Sequence, residues 1–331
     1  MGKHDDYRRR KDKANTLLSS ALESLKTLFA ALVLVVPYAA TAADIPTVGV
    51  KHLFNINGNA DRSFSLPSDV AVDNRRVYVV DGGNHRVVVF DKQGEYLFVI
   101  GGEGEGDGQF KGPVGIGIDH RGRIYVADRG NRRVQIFDEA GAFVSKLPIK
   151  QGDISVVPID VSVIPSGKEI FVTGNNTHSV VKVSDDGSVL GNWGMNGVGT
   201  GQFRYPASIE FLKEGKVAVV DVFNARVQVF SRNGEYSHDI GEWGVKPGQL
   251  FRPKGVAVDS NGLVYVSDSY MNVVQIFDST GRFLYVLGEN GAPKRMITAS
   301  GLAVDENSKV YVAEMRNNRI AVYQIDSATG Q

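Results

Sequence analysis

The chain has 331 residues, with 37 basic and 37 acidic side chains, 38 glycines and no cysteine. A net charge of zero argues against a general nucleic-acid-binding protein. The absence of cysteine excludes disulfides, thiolate zinc sites, iron–sulfur clusters and a cysteine nucleophile. The high glycine count, in a sequence without low-complexity tracts, predicts many tight turns.

Residues 1–43 differ in composition from the rest of the chain. A basic segment with three consecutive arginines at 8–10 precedes an apolar run at 28–36 and a stretch of small residues ending at Ala43. This order is typical of a secretory signal peptide. The apolar run is shorter than the about 20 residues of a membrane span, but the long basic segment leaves an uncleaved membrane anchor as an alternative. We therefore expect residues 1–43 to be a signal peptide or N-terminal anchor, and the protein to be periplasmic or extracellular.

From residue 44 onward the sequence repeats every 45 to 48 residues. One anchor of the repeat is a proline at positions 67, 113, 158, 206 and 253, with alanine at 299. Each unit contains four runs rich in β-branched and aromatic residues, separated by glycine, aspartate or asparagine turns. No segment after residue 44 has a helical period. Four strands in about 45 residues is the pattern of a β-propeller blade.

The two ends of the repeat region complement each other. The last unit ends at Ile325 with only three strands, and residues 326–331 form a short C-terminal tail. The segment 53–58 matches the fourth strand of the other units. We therefore predict an all-β fold over residues 44–325, a six-bladed β-propeller of four-stranded antiparallel blades whose sixth blade is closed by the N-terminal strand. Closure removes two exposed sheet edges.

A motif D-x-x-N-x-R-[VI] follows the second strand of four units, with glutamate replacing aspartate in the last. Its residues are Asp81, Asn84, Arg86, Asp128, Asn131, Arg133, Asp221, Asn224, Arg226, Glu314, Asn317 and Arg319. Together with glycine-rich Q-F-x-x-P linkers such as residues 102–113, this motif resembles the NHL repeat family. The resemblance covers residues 44–325, and the third and fifth units depart from the motif. It implies the propeller fold and, because propellers host unrelated activities, little about function.

The repeated residues have a structural interpretation. Aspartate and asparagine form local side-chain hydrogen bonds that shape turns, and the arginine can pair with the acid across the hairpin. We also expect Phe110, Phe203 and Leu250 to be buried plugs between blades, and Trp193 and Trp243 to pack between blades.

Function is expected where the copies differ, on the face that carries the channel mouth. The variable positions there that combine aromatic rings with cations or amides form a hypothetical binding rim: Arg129, Asn176, Phe223, Lys254, Tyr270 and Arg316. Aromatic residues and arginine are enriched at binding hot spots. Solvated loop residues are the alternative interpretation.

Metal and catalytic sites have weaker support in the sequence. Six-bladed amidating lyases resemble NHL proteins and hold zinc through histidines at the inner-strand starts, but none of those positions is histidine here. Asp69 and Asp160 occupy matching inner-strand positions and, with Asn175 or Asn176, are weak calcium candidates. We expect no catalytic residue and no cofactor, with calcium as the one possibility kept open.

Three functions are compatible with the sequence. The first is a non-catalytic, exported scaffold whose channel-mouth face binds a protein or another extracytoplasmic macromolecule. The second is an extracytoplasmic metal-dependent lyase or lactonase of the six-bladed type, and the third is a sensor of a small ligand or carbohydrate. We favour the first, as a monomeric propeller that does not bind nucleic acid and contacts membrane only through an uncleaved N-terminal segment.

Overall fold

The computed structural model describes residues 45–58 and 63–326. The predicted leader, residues 1–43, lies outside this range, and so does most of the predicted tail. Within these residues the regular elements are β-strands, and the only helical segments are short 3-10 turns. The described residues contain no helix with the length and apolarity that a membrane span requires.

One closing strand and six blades follow one another in chain order. The closing strand is β1 (Thr47–Ile56). Blade 1 contains β2 (Pro67–Val72), β3 (Arg76–Asp81), β4 (Arg86–Asp91) and β5 (Tyr96–Gly101). Blade 2 contains β6 (Pro113–Ile118), β7 (Ile124–Asp128), β8 (Arg133–Phe137) and β9 (Phe143–Pro148). A small hairpin, β10 (Lys150–Gln151) and β11 (Ile154–Ser155), precedes blade 3, which contains β12 (Pro158–Val163), β13 (Glu169–Gly174), β14 (Ser179–Ser184) and β15 (Val189–Trp193).

The second half of the ring follows the same order. Blade 4 contains β16 (Pro206–Phe211), β17 (Lys216–Asp221), β18 (Arg226–Ser231) and β19 (Tyr236–Ile240). Blade 5 contains β20 (Pro253–Val258), β21 (Val264–Asp268), β22 (Val273–Phe277) and β23 (Phe283–Glu289), with a short strand β24 (Ala292–Pro293) beside it. Blade 6 contains β25 (Ala299–Val304), β26 (Lys309–Glu314) and β27 (Arg319–Ile325). Short 3-10 turns follow the second strands of blades 1, 2, 4 and 6, at Gly82–Asn84, Arg129–Asn131, Val222–Asn224 and Met315–Asn317, and another lies at Lys213–Gly215.

The N-terminal strand closes the ring, as the sequence predicts. Strand β1 pairs antiparallel with β27, from Val50 opposite Ile325 to Ile56 opposite Ile320. The strand is longer than the predicted segment, and its first residues also pair in parallel with β23, where Thr47 lies opposite Val286. Strand β1 therefore joins blades 5 and 6 in one sheet and covers the free edge of β27.

The hydrophobic core lies between neighbouring blades. In blade 1, residues 77–80 of β3 and 87–89 of β4 are completely buried, whereas the outer strand β5 alternates between buried and exposed side chains. One cluster combines Tyr78 and Val80 of blade 1 with Ile124 and Val126 of blade 2. Each blade therefore buries its face against the next, and the ring has six such contact layers instead of one central core.

The three predicted plugs, Phe110, Phe203 and Leu250, are fully buried between blades. Trp193 also packs between blades, near Phe230 at a ring-centroid distance of 5.8 Å. The expectation for Trp243 is wrong, because its side chain is 71% exposed. The reason is its position: Trp193 ends an outer strand, as the buried Ile240 does, whereas Trp243 lies beyond the strand end in the linker, bridged to Leu250.

Candidate functional site at the channel mouth

The loops between the second and third strands share one face with the residues that precede the inner strands. The backbone joins the two directly, since the amide of Gly83 donates to the carbonyl of Ser65 at 2.9 Å, and that of Phe223 donates to Arg204 at 3.1 Å. Equivalent bonds link Gly130 to Lys111, Asn175 to Val157, Ser269 to Arg252 and Met315 to Thr298. We call the surface made by these six loops and six pre-strand segments the channel-mouth face.

The repeated motif builds this face. The Asp81 carboxylate accepts hydrogen bonds from the Asn84 amide at 2.8 Å, from Arg86 Nε at 2.7 Å and from the backbone amide of Ser65 at 2.7 Å. Asp81 is fully buried, and a buried carboxylate is stable only when its oxygens are hydrogen-bonded and its charge is paired. These contacts meet both requirements. The same arrangement recurs in the other copies of the motif: Asp128 with Asn131 and Arg133, Asp221 with Asn224 and Arg226, and Glu314 with Asn317 and Arg319.

A second repeated device was not found in the sequence. The last residue of the loop adopts a left-handed conformation, and its side chain accepts the backbone amide of the following blade's pre-strand segment in four blades. His85 accepts from Gly112 at 2.8 Å, and Asn272 accepts from Thr298 at 2.7 Å. His178 accepts from Tyr205, and Asn318 accepts from Leu66 across the ring closure. His or Asn occupies this repeat position in all four blades, and both residue types tolerate the left-handed conformation. Because the residue type changes from blade to blade, the sequence alone does not reveal the contact.

Charge is distributed unequally on the channel-mouth face. The loops at 82–85, 129–132, 175–178, 222–225, 269–272 and 315–318 contain no acidic residue, and neither do the last four residues before each inner strand. The same segments carry seven basic residues: Lys111, Arg129, Arg132, Arg204, Arg252, Arg295 and Arg316. Lys254, at the start of β20, adds an eighth. Lys111 is paired with Glu105 of the preceding linker at 3.2 Å, and the other seven cations give this near-neutral protein a basic surface around its channel mouth.

Exposed aromatic rings converge on the same face at blades 4 and 5. Tyr270 is 61% exposed and stacks on Phe251 with ring centroids 4.1 Å apart, and Trp243 lies 6.2 Å from Phe251. Phe223, half exposed, contacts Tyr205 edge-to-face at 5.5 Å. These five side chains, Tyr205, Phe223, Trp243, Phe251 and Tyr270, are called the aromatic rim below.

Cations are interleaved with the aromatic rim. The guanidinium of Arg252 lies 5.2 Å from the centre of the Phe223 ring, and the ammonium of Lys254 lies 5.7 Å from the centre of the Tyr205 ring. Phe251, Arg252 and Lys254 come from one short segment that enters β20, and the Asp268 carboxylate holds the Phe251 and Arg252 backbone amides at 2.7 and 2.9 Å. The acid that ends β21, which blade 5 shares with the repeated motif, therefore fixes the backbone that carries Phe251 and Arg252.

The structure brings together three of the six residues of the hypothetical binding rim. Phe223, Lys254 and Tyr270 belong to the cluster on blades 4 and 5. Arg129 and Arg316 are exposed on the loops of blades 2 and 6 and add only to the charge of the face. Asn176 has a local structural contact, because its side-chain amide donates to the Ser155 carbonyl and its oxygen accepts from Val157 at 2.7 Å.

Beneath the mouth, a channel cavity of about 440 Å³ is lined by Asp69, Asp160 and Glu210. Burial raises the pKa of Asp160 to about 7 and that of Glu210 to about 8, and it also raises the pKa of Asp69, to which the Asp160 charge adds. No other side chain or backbone group of the described chain hydrogen-bonds the Glu210 carboxylate. The channel therefore concentrates acids that hold protons near neutral pH.

The two calcium candidates have a structural use. The Asp69 carboxylate accepts the backbone amides of Val70 at 2.9 Å and of Ile116, in the next blade, at 3.0 Å. Asp160 likewise accepts Val161 at 2.8 Å and Ile209 of blade 4 at 2.9 Å. These carboxylates bridge adjacent inner strands. Within residues 45–58 and 63–326, no group of three or more His, Asp or Glu side chains is placed to hold a metal ion.

Comparison with known proteins assigns the repeat. The family model of the NHL repeat matches residues 64–90, 110–137 and 252–277. The human NHL repeat-containing protein 3 is 33% identical over 88 residues, which is 26% of this chain. That segment spans 24% of the human relative's length.

Similar solved structures are propellers of low sequence identity. A protein of unknown function from Bacteroides thetaiotaomicron has a TM-score of 0.65 at 14% identity, over 84% of this chain and 76% of its own. Virginiamycin B lyase from Staphylococcus aureus has a TM-score of 0.58 at 12% identity, over 86% and 97%. A gluconolactonase from Xanthomonas campestris has a TM-score of 0.57 at 17% identity, over 86% and 88%. At such identity the likeness concerns the fold. The three matched repeats and the closed ring of blades together identify the chain as a six-bladed β-propeller that contains NHL repeats.

Proposed function

We propose that this propeller is an exported, non-catalytic binding protein whose channel-mouth face docks a protein partner. The observation that carries the proposal is the aromatic rim, where Trp243, Tyr270 and Phe223 leave half or more of their surface in solvent. Large exposed rings grouped on one surface mark interaction sites, because a monomer gains nothing from leaving them in water. Aromatic residues and arginine also dominate interface hot spots.

Further apolar side chains extend this surface. Met195 and Val198 lie in the linker that leads to blade 4, and Val245 lies beside Trp243 in the next linker; each is more than 60% exposed. The rim thus has an apolar periphery that continues along two adjacent linkers. Such an extended surface suits a protein partner better than a small ligand, which prefers a concave, enclosed site.

The proposed export depends on the leader sequence, residues 1–43, and the scaffold role depends on the rim. An extracytoplasmic metal-dependent lyase or lactonase is the competing function. Two observations favour the binding role: Asp69 and Asp160 use their oxygens to bridge inner strands, and the strongest cluster of exposed side chains lies on the outer face rather than in the channel.

The test is partner binding by a rim variant. The partner is identified by crosslinking in the native cells, purified, and titrated with the wild-type propeller and with Phe223→Ala/Tyr270→Ala. Truncating two hot-spot rings of about 2 kcal/mol each is expected to weaken binding at least 10-fold. The melting temperature is expected to stay unchanged, because both side chains are exposed.

A matched control is available on the outer strand of blade 3. Val189 and Leu190 are 50% and 48% exposed, so Val189→Ala/Leu190→Ala removes a similar apolar surface away from the channel mouth and is expected to leave binding unchanged. Equal affinity of the rim variant and wild type would contradict the proposed function. Stoichiometric calcium or zinc in the purified protein would favour the competing function if removal of the metal also abolished a lyase or lactonase activity.

A further inference from the structure

A small pocket forms the entrance of the channel, framed by the first residues of the inner strands of all six blades. It has a volume of about 150 Å³, and its wall includes Tyr205, Ser208, Lys254, Ser300 and Met315. The volume suits one side chain rather than a whole ligand molecule. Tyr205 belongs both to the pocket wall and to the aromatic rim, so the pocket is continuous with the rim.

Lys254 is the cation of this pocket. Its side chain is half buried, and within residues 45–58 and 63–326 no acidic or hydrogen-bonding partner contacts its ammonium, which lies 5.7 Å from the centre of the Tyr205 ring. Burial and the nearby Arg252 guanidinium both lower the pKa of the Lys254 amine. A partly desolvated ammonium without a counter-charge is unfavourable, and a carboxylate brought by a ligand would relieve this cost.

The surroundings of Lys254 add a preference for anions. The channel-mouth face has eight basic side chains and no acidic residue in its loops or pre-strand segments. The acids nearest the pocket are Asp69 and Asp160, at its floor, and both carboxylates already accept two backbone amides. Their raised pKa values keep negative charge at the floor low at mildly acidic pH. An incoming carboxylate therefore meets a cation at the mouth before it meets an acid below.

We infer that the partner protein inserts an acidic side chain into this pocket, where Lys254 anchors its carboxylate while neighbouring apolar side chains of the partner pack on the aromatic rim. This inference rests on the proposed function, because it names the chemistry of the partner for the same face. It predicts a docking segment in which aspartate or glutamate lies close to aromatic or aliphatic residues. Complementary charge would also speed association and make it sensitive to salt.

The test uses a short capped peptide of glutamate, glycine and phenylalanine, and the same peptide with glutamine in place of glutamate. Lysines of the propeller are labelled by reductive ¹³C-methylation, and the Lys254 signal is assigned from Lys254→Arg. Trp243 fluorescence reports occupancy of the rim. We expect the glutamate peptide to shift the Lys254 signal and raise its titration midpoint, and the glutamine peptide to bind at least 10-fold more weakly.

Variants separate charge from shape. Lys254→Met keeps the apolar stem and is expected to weaken binding of the glutamate peptide at least 10-fold, whereas Lys254→Arg retains a cation and is expected to restore part of the affinity. Lys168→Met, an exposed lysine in the turn between the first two strands of blade 3, is the matched control and should bind as wild type.

Three outcomes would overturn the inference. They are equal binding of the two peptides, an unmoved Lys254 signal while Trp243 responds, and no binding of the glutamate peptide at millimolar concentration. Tighter binding of a uridine oligonucleotide than of the glutamate peptide would assign the basic face to nucleic acid instead. If Lys254→Met binds the native partner normally while the Phe223→Ala/Tyr270→Ala variant does not, this inference fails and the proposed function stands.

Discussion

The acids inside the channel give the clearest quantitative prediction. Asp160 has a folded-state pKa of about 7 against an ordinary value of 3.8, and Glu210 has one of about 8 against 4.5. Because the folded state holds these protons more tightly than the unfolded chain does, stability is highest below pH 4 for these groups and is lost as the pH rises through 7 to 8. We expect the melting temperature to fall between pH 5 and pH 8.

The size of the effect follows from the buried group. A rise of about 3 pKa units at Asp160 corresponds to about 4 kcal/mol, at 1.36 kcal/mol per unit. Water in the channel screens part of this, so we expect a loss of about 2–4 kcal/mol, or roughly 5–10 °C in melting temperature for a domain of this length. Burial lowers the pKa of His238 from 6.5, so this residue acts in the opposite direction. It is present in both the wild type and the Glu210→Gln variant, so it does not affect their comparison.

Glu210→Gln removes one of the channel acids and leaves Asp69 and Asp160 in place. Glu210 has no hydrogen-bonding partner in the described chain, so the amide keeps its shape and removes a charge that also raises the pKa of Asp69. Calorimetry or thermal denaturation from pH 4.5 to 9 should show equal stability at the acid end and a more stable variant above pH 8. A variant with the wild-type slope, or one less stable than wild type at pH 9, would refute the assignment of the pH dependence to this cluster.

Two further predictions concern the ring itself. Deleting residues 44–58 exposes the edge of β27 and removes the pairing with β23, so size-exclusion chromatography is expected to show aggregation of the variant. Removal of residues 327–331, the control, should not cause aggregation. A monomeric, equally stable variant without residues 44–58 would contradict closure by β1. Phe203→Ala removes a fully buried side chain that contacts Phe230 and should lower the free energy of unfolding in chemical denaturation by about 3–5 kcal/mol. The exposed Val189→Ala should lower it by less than about 0.5 kcal/mol. Similar losses for both variants would contradict an inter-blade role for Phe203.

The fold was predictable because repetition supplies the same information six times. The proline anchor marks five blades and the motif after the second strand marks four, so that every blade carries at least one of the two signals. The missing fourth strand of the last unit identifies β1 as its closing strand. A single Trp was harder to place. Trp193 and Trp243 are each followed by glycine, yet Trp193 ends its strand and Trp243 lies three residues beyond the end of its strand. A small difference in register therefore leaves Trp243 exposed.

The candidate site was predictable only in part. Phe223, Lys254 and Tyr270 stand out in the sequence because they differ between copies, but Phe251 and Tyr205 precede the inner strands at positions where the repeat gives no reason to expect stacking. The pairing of Asp69 and Asp160 with amides of the next blade was also hidden. Both depend on contacts between blades, and a linear repeat specifies the order of blades but not the side-chain geometry across their boundaries.

The proposed docking role of the channel-mouth face is tested most directly by photo-crosslinking from both faces of the propeller in the native cells. A photoreactive amino acid is placed at position 223 or 270 on the rim, and at position 168 or 213 in the turns of the opposite face. We expect one partner protein, with an acidic segment at the crosslinked position, to be captured from the rim positions and not from the turns. Capture of that partner only from positions 168 and 213 would contradict the account.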